Sequence, residues 1–294
     1  MEFQTTLSRA VRLRGIGLHS GEACEVTLHP AQAGFGLAFQ VWGRGSLGER
    51  RGKPGVSTLG LIPVHYDQVE LRERCTALGT GRERVLTVEH LLAALMGMEV
   101  DNALIEVEGG EVPALDGSAA PFAEAVAEAE VVQVTDTGGA LVPRNRMLIE
   151  ESVTVQARQS WITVLPGEEL SISCRVEYPG VDPQVADFSL EPKVFRQEIA
   201  PARTFAMESD LEDLRAKGLA RGGSLENAIV VGSKGWSSPP RFENELARHK
   251  LLDVLGDLSL LGAALRARVS AFRPGHELNH ALVRRLAEVG MRSE

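Results

Sequence analysis

The sequence has few cysteines and lacks any long apolar run. Three cysteines occur in 294 residues, at the widely separated positions Cys24, Cys75 and Cys174, so we expect neither a disulfide framework nor a cysteine-based zinc site. No run reaches the ~18 consecutive apolar residues that a membrane helix needs. The opening residues also lack the basic and apolar regions of a secretion signal. We therefore expect a cytoplasmic protein with no stable membrane insertion.

Basic residues are in the minority. The chain has 31 lysines and arginines against 40 acidic residues, which gives a formal charge of -9 and argues against a nucleic-acid partner bound through its phosphate backbone. An acidic substrate would need a local basic pocket. With 44% hydrophobic residues, the chain can bury one large core or two ordinary ones, and its length favours two domains.

The first half of the chain alternates predicted strands with two predicted helices. Thr87 is a plausible N-cap for a helix over residues 88–96, which Gly97 would close. A second, Ala-rich helix is predicted over 118–130, and the Gly- and Arg-rich stretch 43–55 is interpreted as a loop. Short alternating runs predict strands at 10–14, 23–28, 36–41, 61–64 and 101–108.

The second half repeats this order of elements. Strands are predicted at 147–157, 161–165, 170–176, 227–231 and 267–272, and helices at 209–217, 242–265 and from 277 onward. When His90 is aligned with His249, HLLAALMG falls beside HKLLDVLG. We expect two duplicated α+β domains, residues 1–134 and 140–294, joined by the linker 135–139. Equivalent helices that face each other would place a site at the domain interface.

Two residues of the predicted helix RHKLLDVLGDL have the spacing of metal ligands. His249 and Asp253 stand four residues apart, so both side chains lie on one face and can reach a single ion. A catalytic zinc site commonly takes three protein ligands, so a third must come from elsewhere. The alternative is an exposed pair on the wet face of an ordinary amphipathic helix. His90 favours the metal site, because it is one of only seven histidines and falls at the equivalent place in the other half.

Glu89 and His276 are candidates for acid–base chemistry. Glu89 lies in a first helical turn, where the helix dipole alone favours an acid, but beside His90 it could take a proton from an attacking water. His276 is equally consistent with an ordinary loop histidine. Near a metal it could protonate a leaving amine or stabilise an oxyanion as imidazolium, with Asp257 keeping its pKa high. The remaining histidines have no partner at metal-ligand spacing: His19, His29, His65 and His280. The last three are interpreted as ordinary surface or core residues.

Nine short stretches, in order and at compatible spacings, carry a resemblance to a known family. They are GIGLHSG (15–21), TVEHL (87–91), Asp-Asn-Ala (101–103), DGSAAPF (116–122), ARTF (202–205), GGS (222–224), RHKLLD (248–253), GDL (256–258) and GH (275–276). With QTTL at 4–7, the chain resembles the UDP-3-O-acyl-N-acetylglucosamine deacetylases of lipid A synthesis over nearly its whole length. One departure lies in the second-half insert around 175–188, where Val-Glu-Tyr-Pro-Gly stands in place of the Phe-Asp-His-Pro-like sequence that is usual in the family. In the family this insert helps to form the acyl-chain passage.

The resemblance implies a zinc-dependent hydrolase that removes the N-acetyl group of UDP-3-O-acyl-N-acetylglucosamine, and we expect a monomer. The implied zinc ligands are His90, His249 and Asp253. The implied general base, general acid and orienting carboxylate are Glu89, His276 and Asp257. The implied substrate contacts are Thr204 near the oxyanion, Phe205 and Lys250. The implied fold is two similar two-layer α/β sandwich domains with helices packed between the two sheets, each with a small insert.

Other functions and another metal are also considered. A relative that only binds or regulates an acyl-sugar nucleotide would not need Glu89, His276 and Asp257 together. A metalloprotease is disfavoured because the sequence has neither His-Glu-x-x-His nor its inversion. Ferrous iron is an alternative to zinc, since the same ligand set accepts it.

Overall fold

The structure is a computed structural model that describes residues 2–42, 60–81, 83–233 and 235–290. The loop predicted over 43–55 lies outside these residues. Among the described residues, no helix combines the length and the apolar character needed to span a bilayer.

The strands and helices occur in the following order. The strands are β1 (Thr5–Leu7), β2 (Val11–Ile16), β3 (Ala23–Pro30), β4 (Leu37–Trp42), β5 (Leu61–Pro63), β6 (Val69–Glu70), β7 (Ala77–Thr80), β8 (Glu83–Leu86), β9 (Ala103–Glu108), β10 (Val131–Gln133), β11 (Arg146–Leu148), β12 (Val153–Ala157), β13 (Ser160–Pro166), β14 (Ser171–Tyr178), β15 (Val181–Ser189), β16 (Phe205–Met207), β17 (Ile229–Gly232), β18 (Gly235–Trp236) and β19 (Ala264–Phe272). The helices are α1 (Glu89–Gly97), α2 (Ala120–Ala129), α3 (Pro192–Val194), α4 (Leu211–Ala216), α5 (Glu245–Leu258) and α6 (His276–Gly290). Short 3-10 or π turns occur at Tyr66–Gln68, Phe195–Ile199, Glu208–Asp210 and Ser259–Leu261.

Two large sheets repeat one strand order. The first runs β2-β3-β9-β4-β5 and the second runs β12-β13-β19-β14-β15, with β11 added beside β19. In each sheet the central strand, β9 or β19, is antiparallel to the strand before it in this order and parallel to the strand after it. The predicted α+β class with duplicated units is therefore confirmed. The domain boundary at 135–139 stays a prediction.

The helices form a layer between the two large sheets. α2 packs on β2, α1 packs on both α2 and α5, and α5 packs on β14 and β15. All residues of α1 except Met96 are buried, as expected for a helix that is apolar around most of its circumference. Gly256 of α5 allows a close approach to α1, because a Cβ atom there would overlap the carbonyl oxygen of Glu89. The two helices therefore meet at residues that were predicted to carry the chemistry.

Each half also carries a small three-stranded sheet outside its large sheet. Strands β6 to β8 form this insert in the first half, and β16 to β18 form it in the second. The prediction of the second insert around 175–188 is wrong. Those residues belong to the hairpin of β14 and β15 within the second large sheet, and both strands pack on α5.

Three predictions of individual elements are corrected by the structure. Thr87 is not an N-cap: its φ of 57° is left-handed, its hydroxyl donates to Glu111 Oε1 at 2.9 Å, and α1 begins at Glu89. The helix predicted over 242–265 ends at Leu258, and the turn that follows it is terminated by Gly262 with a φ of 66°. The single strand predicted over 147–157 is two strands, because β11 pairs with β19 whereas β12 pairs with β13.

Candidate active site

Three predicted metal ligands from two helices converge on one point. His90 lies at the start of α1, and His249 and Asp253 lie one turn apart in α5. Their ligand atoms all lie within 4.8 Å of one another. Asp253 Oδ1 is 3.5 Å from His249 Nε2 and 3.8 Å from His90 Nε2, and the two imidazole rings are perpendicular with centroids 5.0 Å apart. Since bonds from zinc to nitrogen or oxygen are about 2 Å long, this spacing suits one shared ion.

The polar atoms of these side chains fit a metal cation. Asp253 Oδ1 is buried and has no hydrogen-bond partner among the described residues, whereas Oδ2 accepts from Lys250 Nζ at 2.7 Å. A buried carboxylate oxygen without a partner is costly unless a ligand satisfies it. His249 donates its Nδ1–H to the carbonyl oxygen of Ala202 at 3.1 Å, which leaves the Nε2 lone pair available for a ligand. The site therefore presents a free carboxylate oxygen beside a free imidazole nitrogen.

The burial of His249 and Asp253 distinguishes a metal site from an exposed pair on a helix face. His249 and Asp253 are each 2% exposed, so the interpretation as a wet face is wrong. Burial, reinforced by the neighbouring His249, lowers the pKa of His90 to about 3, and burial also lowers the pKa of His249. Burial opposes ionisation of Asp253, but the positive charge of Lys250 outweighs it and holds the pKa of that carboxyl well below its usual range. Metal ligands must be deprotonated, and two neutral imidazoles and a carboxylate meet that condition.

Glu89 lies beside the three candidate ligands. Its Oε2 accepts the backbone N–H of Thr76 at 3.0 Å, and its Oε1 lies 3.7 Å from His276 Nε2. Burial raises the pKa of Glu89 to about 7, although the neighbouring His276 opposes this shift. A carboxylate with such a pKa can take up a proton near neutral pH, as a general base must.

His276 and Asp257 form a polar pair next to Glu89. His276 Nδ1 donates to Asp257 Oδ2 at 2.8 Å. Burial alone would lower the pKa of His276, but the charge and hydrogen bond of Asp257 outweigh it and raise that pKa to about 9. Burial likewise opposes ionisation of Asp257, yet the pairing with His276 holds its pKa far below the usual range. An imidazolium whose Nδ1–H is held in this way can use its Nε2–H to donate a proton.

A cavity of ≈ 1020 Å³ joins these groups. It is lined by the predicted site residues Glu89, His90, Thr204, Phe205, His249, Lys250, Asp253 and His276, while Asp257 does not line it. The Phe205 and His249 rings lie 6.0 Å apart, and Lys250 Nζ lies 5.5 Å from the centre of the Phe205 ring. Burial opposes the charge on Lys250, but Asp253 outweighs it and raises the pKa of that ammonium group. The cavity thus has a fixed cation beside an aromatic wall.

A buried ion pair holds the loop that carries Thr204. Arg203 donates from its backbone N–H and from Nε to Glu245 Oε1, at 3.0 and 2.9 Å. Glu245 lies one turn before His249 in α5. The pair therefore fixes Ala202, whose carbonyl oxygen orients the His249 ring. Neither Arg203 nor Glu245 was predicted from the sequence to support the site.

Other residues of the site were also missed. The prediction that His280 has no partner at metal-ligand spacing is wrong, because its ligand atom lies within 4.8 Å of those of Asp257 and His276. The signal was present in the sequence, since His276 and His280 are four residues apart, the spacing used to select His249 and Asp253. Thr76 carried no such signal, because only the fold brings it to Asp257. His19 lines the cavity, and burial lowers its pKa.

Comparison with known proteins gives a consistent result over nearly the whole chain. Residues 4–288 match the family described as UDP-3-O-acyl N-acetylglycosamine deacetylase. A protein of Geobacter sp. (strain M21) is 40% identical over 290 residues, covering 97% of this chain and 89% of that protein. A protein of Myxococcus xanthus (strain DK1622) is 39% identical over 287 residues, covering 96% and 86%. A protein of Nostoc sp. (strain PCC 7120) is 40% identical over 289 residues, covering 96% and 98%. All three are named UDP-3-O-acyl-N-acetylglucosamine deacetylase.

Proposed function

The chain belongs to the UDP-3-O-acyl N-acetylglycosamine deacetylase family, and from this membership we propose that it hydrolyses the N-acetyl group of UDP-3-O-acyl-N-acetylglucosamine and releases acetate in lipid A biosynthesis. The observation that supports this most strongly is the convergence of His90, His249 and Asp253 on a cavity that also contains Glu89 and His276. We further propose that the protein acts in the cytoplasm as a monomer.

We propose that His90, His249 and Asp253 hold a zinc ion. The free Oδ1 of Asp253 and two imidazoles kept neutral by burial support this assignment, because imidazole and carboxylate are common zinc ligands in hydrolases. When bound, zinc polarises an acetamide carbonyl and favours ionisation of water.

Glu89 and His276 divide the proton transfers between them. Glu89 takes a proton from the attacking water, whose oxygen forms the new bond to the acetamide carbon. The carbon–nitrogen bond then breaks, and His276 donates its Nε2 proton to the departing glucosamine nitrogen. Asp257 keeps His276 protonated for this step, because its carboxylate accepts the Nδ1–H at 2.8 Å.

Three further residues are proposed to contact the substrate. Thr204 places a hydroxyl group near the developing oxyanion, where a hydrogen-bond donor has its largest effect. Lys250 contributes a local positive charge that favours binding of an acidic substrate. Such a charge is needed because the net charge of the chain is -9. Phe205, whose ring lies close to both His249 and Lys250, packs on the substrate.

The direct test of this function is acetate release. Protein loaded with zinc should release acetate from UDP-3-O-acyl-N-acetylglucosamine, and a chelator should stop the release until zinc is restored. Ligand binding without acetate release, with or without zinc, would reject the hydrolase in favour of a relative that only binds acyl-sugar nucleotides.

We expect the reaction to fail at high pH as His276 loses its proton. Because the Glu89 carboxylate is the base and the His276 imidazolium is the acid, kcat should be highest between the pKa of Glu89, about 7, and that of His276, and it should be lost as the pH rises through about 9. Asp257→Asn removes the negative charge that raises this pKa, so the basic limb of the profile should move to lower pH. The measurement is the pH profile of kcat for both proteins. An unshifted basic limb in the variant would reject His276 as the acid.

A further inference from the structure

The hydroxyl group of Thr76 lies at the centre of a buried polar cluster behind the cavity. Thr76 is fully buried, and its Oγ1 lies 2.5 Å from Asp257 Oδ1, 2.9 Å from His280 Nε2 and 3.2 Å from His276 Nδ1. The other oxygen of Asp257, Oδ2, accepts from His276 Nδ1 and from Asn279 Nδ2, both at 2.8 Å. Every oxygen of the Asp257 carboxylate is therefore held by a named donor.

The directions of these hydrogen bonds follow from the number of protons available. Asp257 is ionised beside the His276 imidazolium and can only accept. The single proton of the Thr76 hydroxyl must therefore point to Asp257 Oδ1. Thr76 Oγ1 then accepts from His280, which carries its proton on Nε2. His280 Nδ1 is left without a hydrogen-bond partner among the described residues, which is tolerable for a neutral acceptor but costly for a buried N–H.

Thr76 also contacts the proposed general base. Its backbone N–H donates to Glu89 Oε2 at 3.0 Å, while its hydroxyl contacts Asp257. Glu89 belongs to α1 and Asp257 to α5, so one residue bridges the two carboxylates that serve the two proton transfers. Thr76 immediately precedes β7, in the small sheet of the first half. That insert therefore contributes to the geometry of the site.

We propose that Thr76 and His280 are positioning residues for proton transfer, a proposal that rests on the deacetylase function proposed above. Two successive hydrogen bonds, from His280 Nε2–H to the Thr76 hydroxyl and from that hydroxyl to Asp257 Oδ1, fix the plane of the Asp257 carboxylate. Its Oδ2 is then directed at His276 Nδ1, so that His276 Nε2 remains turned to Glu89 and the cavity. The Thr76 N–H holds Glu89 Oε2, which leaves Oε1 to accept the proton of water. Neither residue lies among the proposed metal ligands.

Paired substitutions separate this role from simple packing. Thr76→Val keeps the backbone N–H and the shape but removes the hydroxyl, and His280→Leu removes the Nε2 donor. Each should lower kcat about 10-fold or more, as expected when a partner that orients a catalytic group is lost, with KM and bound zinc unchanged. Thr76→Ser retains the hydroxyl group, and His280→Gln supplies an amide N–H in place of the imidazole N–H. Both variants should therefore have most of the wild-type kcat. Thr6→Val is the matched control, because Thr6 is also buried, its hydroxyl donates to Asn102 O at 2.7 Å, and it does not line the cavity.

A double-mutant cycle tests whether the two residues act through Asp257. In an Asp257→Asn background, Thr76→Val and His280→Leu should cause little further loss of kcat, because the group that they position is already impaired. Full additivity, or wild-type kcat in both single variants, would overturn the proposal. If His280→Leu does not fold, the Thr76→Val and Thr76→Ser pair decides alone. Absence of acetate release from the wild-type protein would instead reject the deacetylase function, so the two failures are distinguishable.

Discussion

Replacing His90 with alanine is expected to remove bound zinc and nearly all activity. The substitution leaves only His249 and Asp253 as ligands, and both belong to the same helix. A catalytic metal contributes several kcal/mol to transition-state stabilisation, so kcat/KM should fall about 10³-fold or more. Zinc content should fall with it, because three protein ligands are the usual number in catalytic sites.

His29→Ala is a matched control for this experiment. His29 is also in the first half, but it pairs with Glu106 at 2.8 Å and does not line the cavity. The measurements are zinc per protein by elemental analysis and kcat/KM for acetate release. Stoichiometric zinc in His90→Ala, bound as tightly as in the wild-type protein, would remove His90 from the ligand set.

Glu89→Gln should retain zinc while losing turnover. The glutamine oxygen can still accept the backbone N–H of Thr76, so the local geometry is preserved. An amide cannot take a proton from water at neutral pH, and loss of a general base typically costs about 10²–10⁴-fold in rate. We therefore expect kcat to fall within that range, with KM close to the wild-type value.

The comparison variant for Glu89→Gln is Glu124→Gln, an exposed position on α2 that should behave as wild type. Turnover and zinc content are measured for the wild-type protein, Glu89→Gln and Glu124→Gln. Near-normal kcat in Glu89→Gln would reject Glu89 as the base. Loss of zinc in the same variant would show that its carboxylate supports the metal rather than the water.

Much of the fold could be predicted because the same order of strands and helices occurs in both halves of the sequence. The order of elements repeats, and aligning His90 with His249 pairs two helices that do face each other. The alignment also pairs Gly97 with Gly256, and Gly256 is where α5 approaches Glu89. The hairpin of β14 and β15 was mistaken for an insert, because strand alternation does not reveal whether a hairpin joins a large sheet or stands apart from it.

The candidate site was predictable only where residues share a helix or a family motif. His249 and Asp253 are four residues apart, and that spacing alone selects them. It could not decide whether they were buried, since burial depends on the α1 packing that covers them. Thr76 lies 181 residues from Asp257, and Arg203 reaches Glu245 across a loop. Such contacts arise from tertiary structure, and the local hydrophobic periodicity of the sequence does not predict them.

The proposed mechanism depends on two helices, far apart in the chain, that hold one cation between them. The most direct measurement is anomalous diffraction at the zinc edge from crystals of the zinc-loaded protein. We expect one strong peak about 2 Å from His90 Nε2, His249 Nε2 and Asp253 Oδ1. A peak bound by only one of the two helices, or none in this cavity, would contradict it.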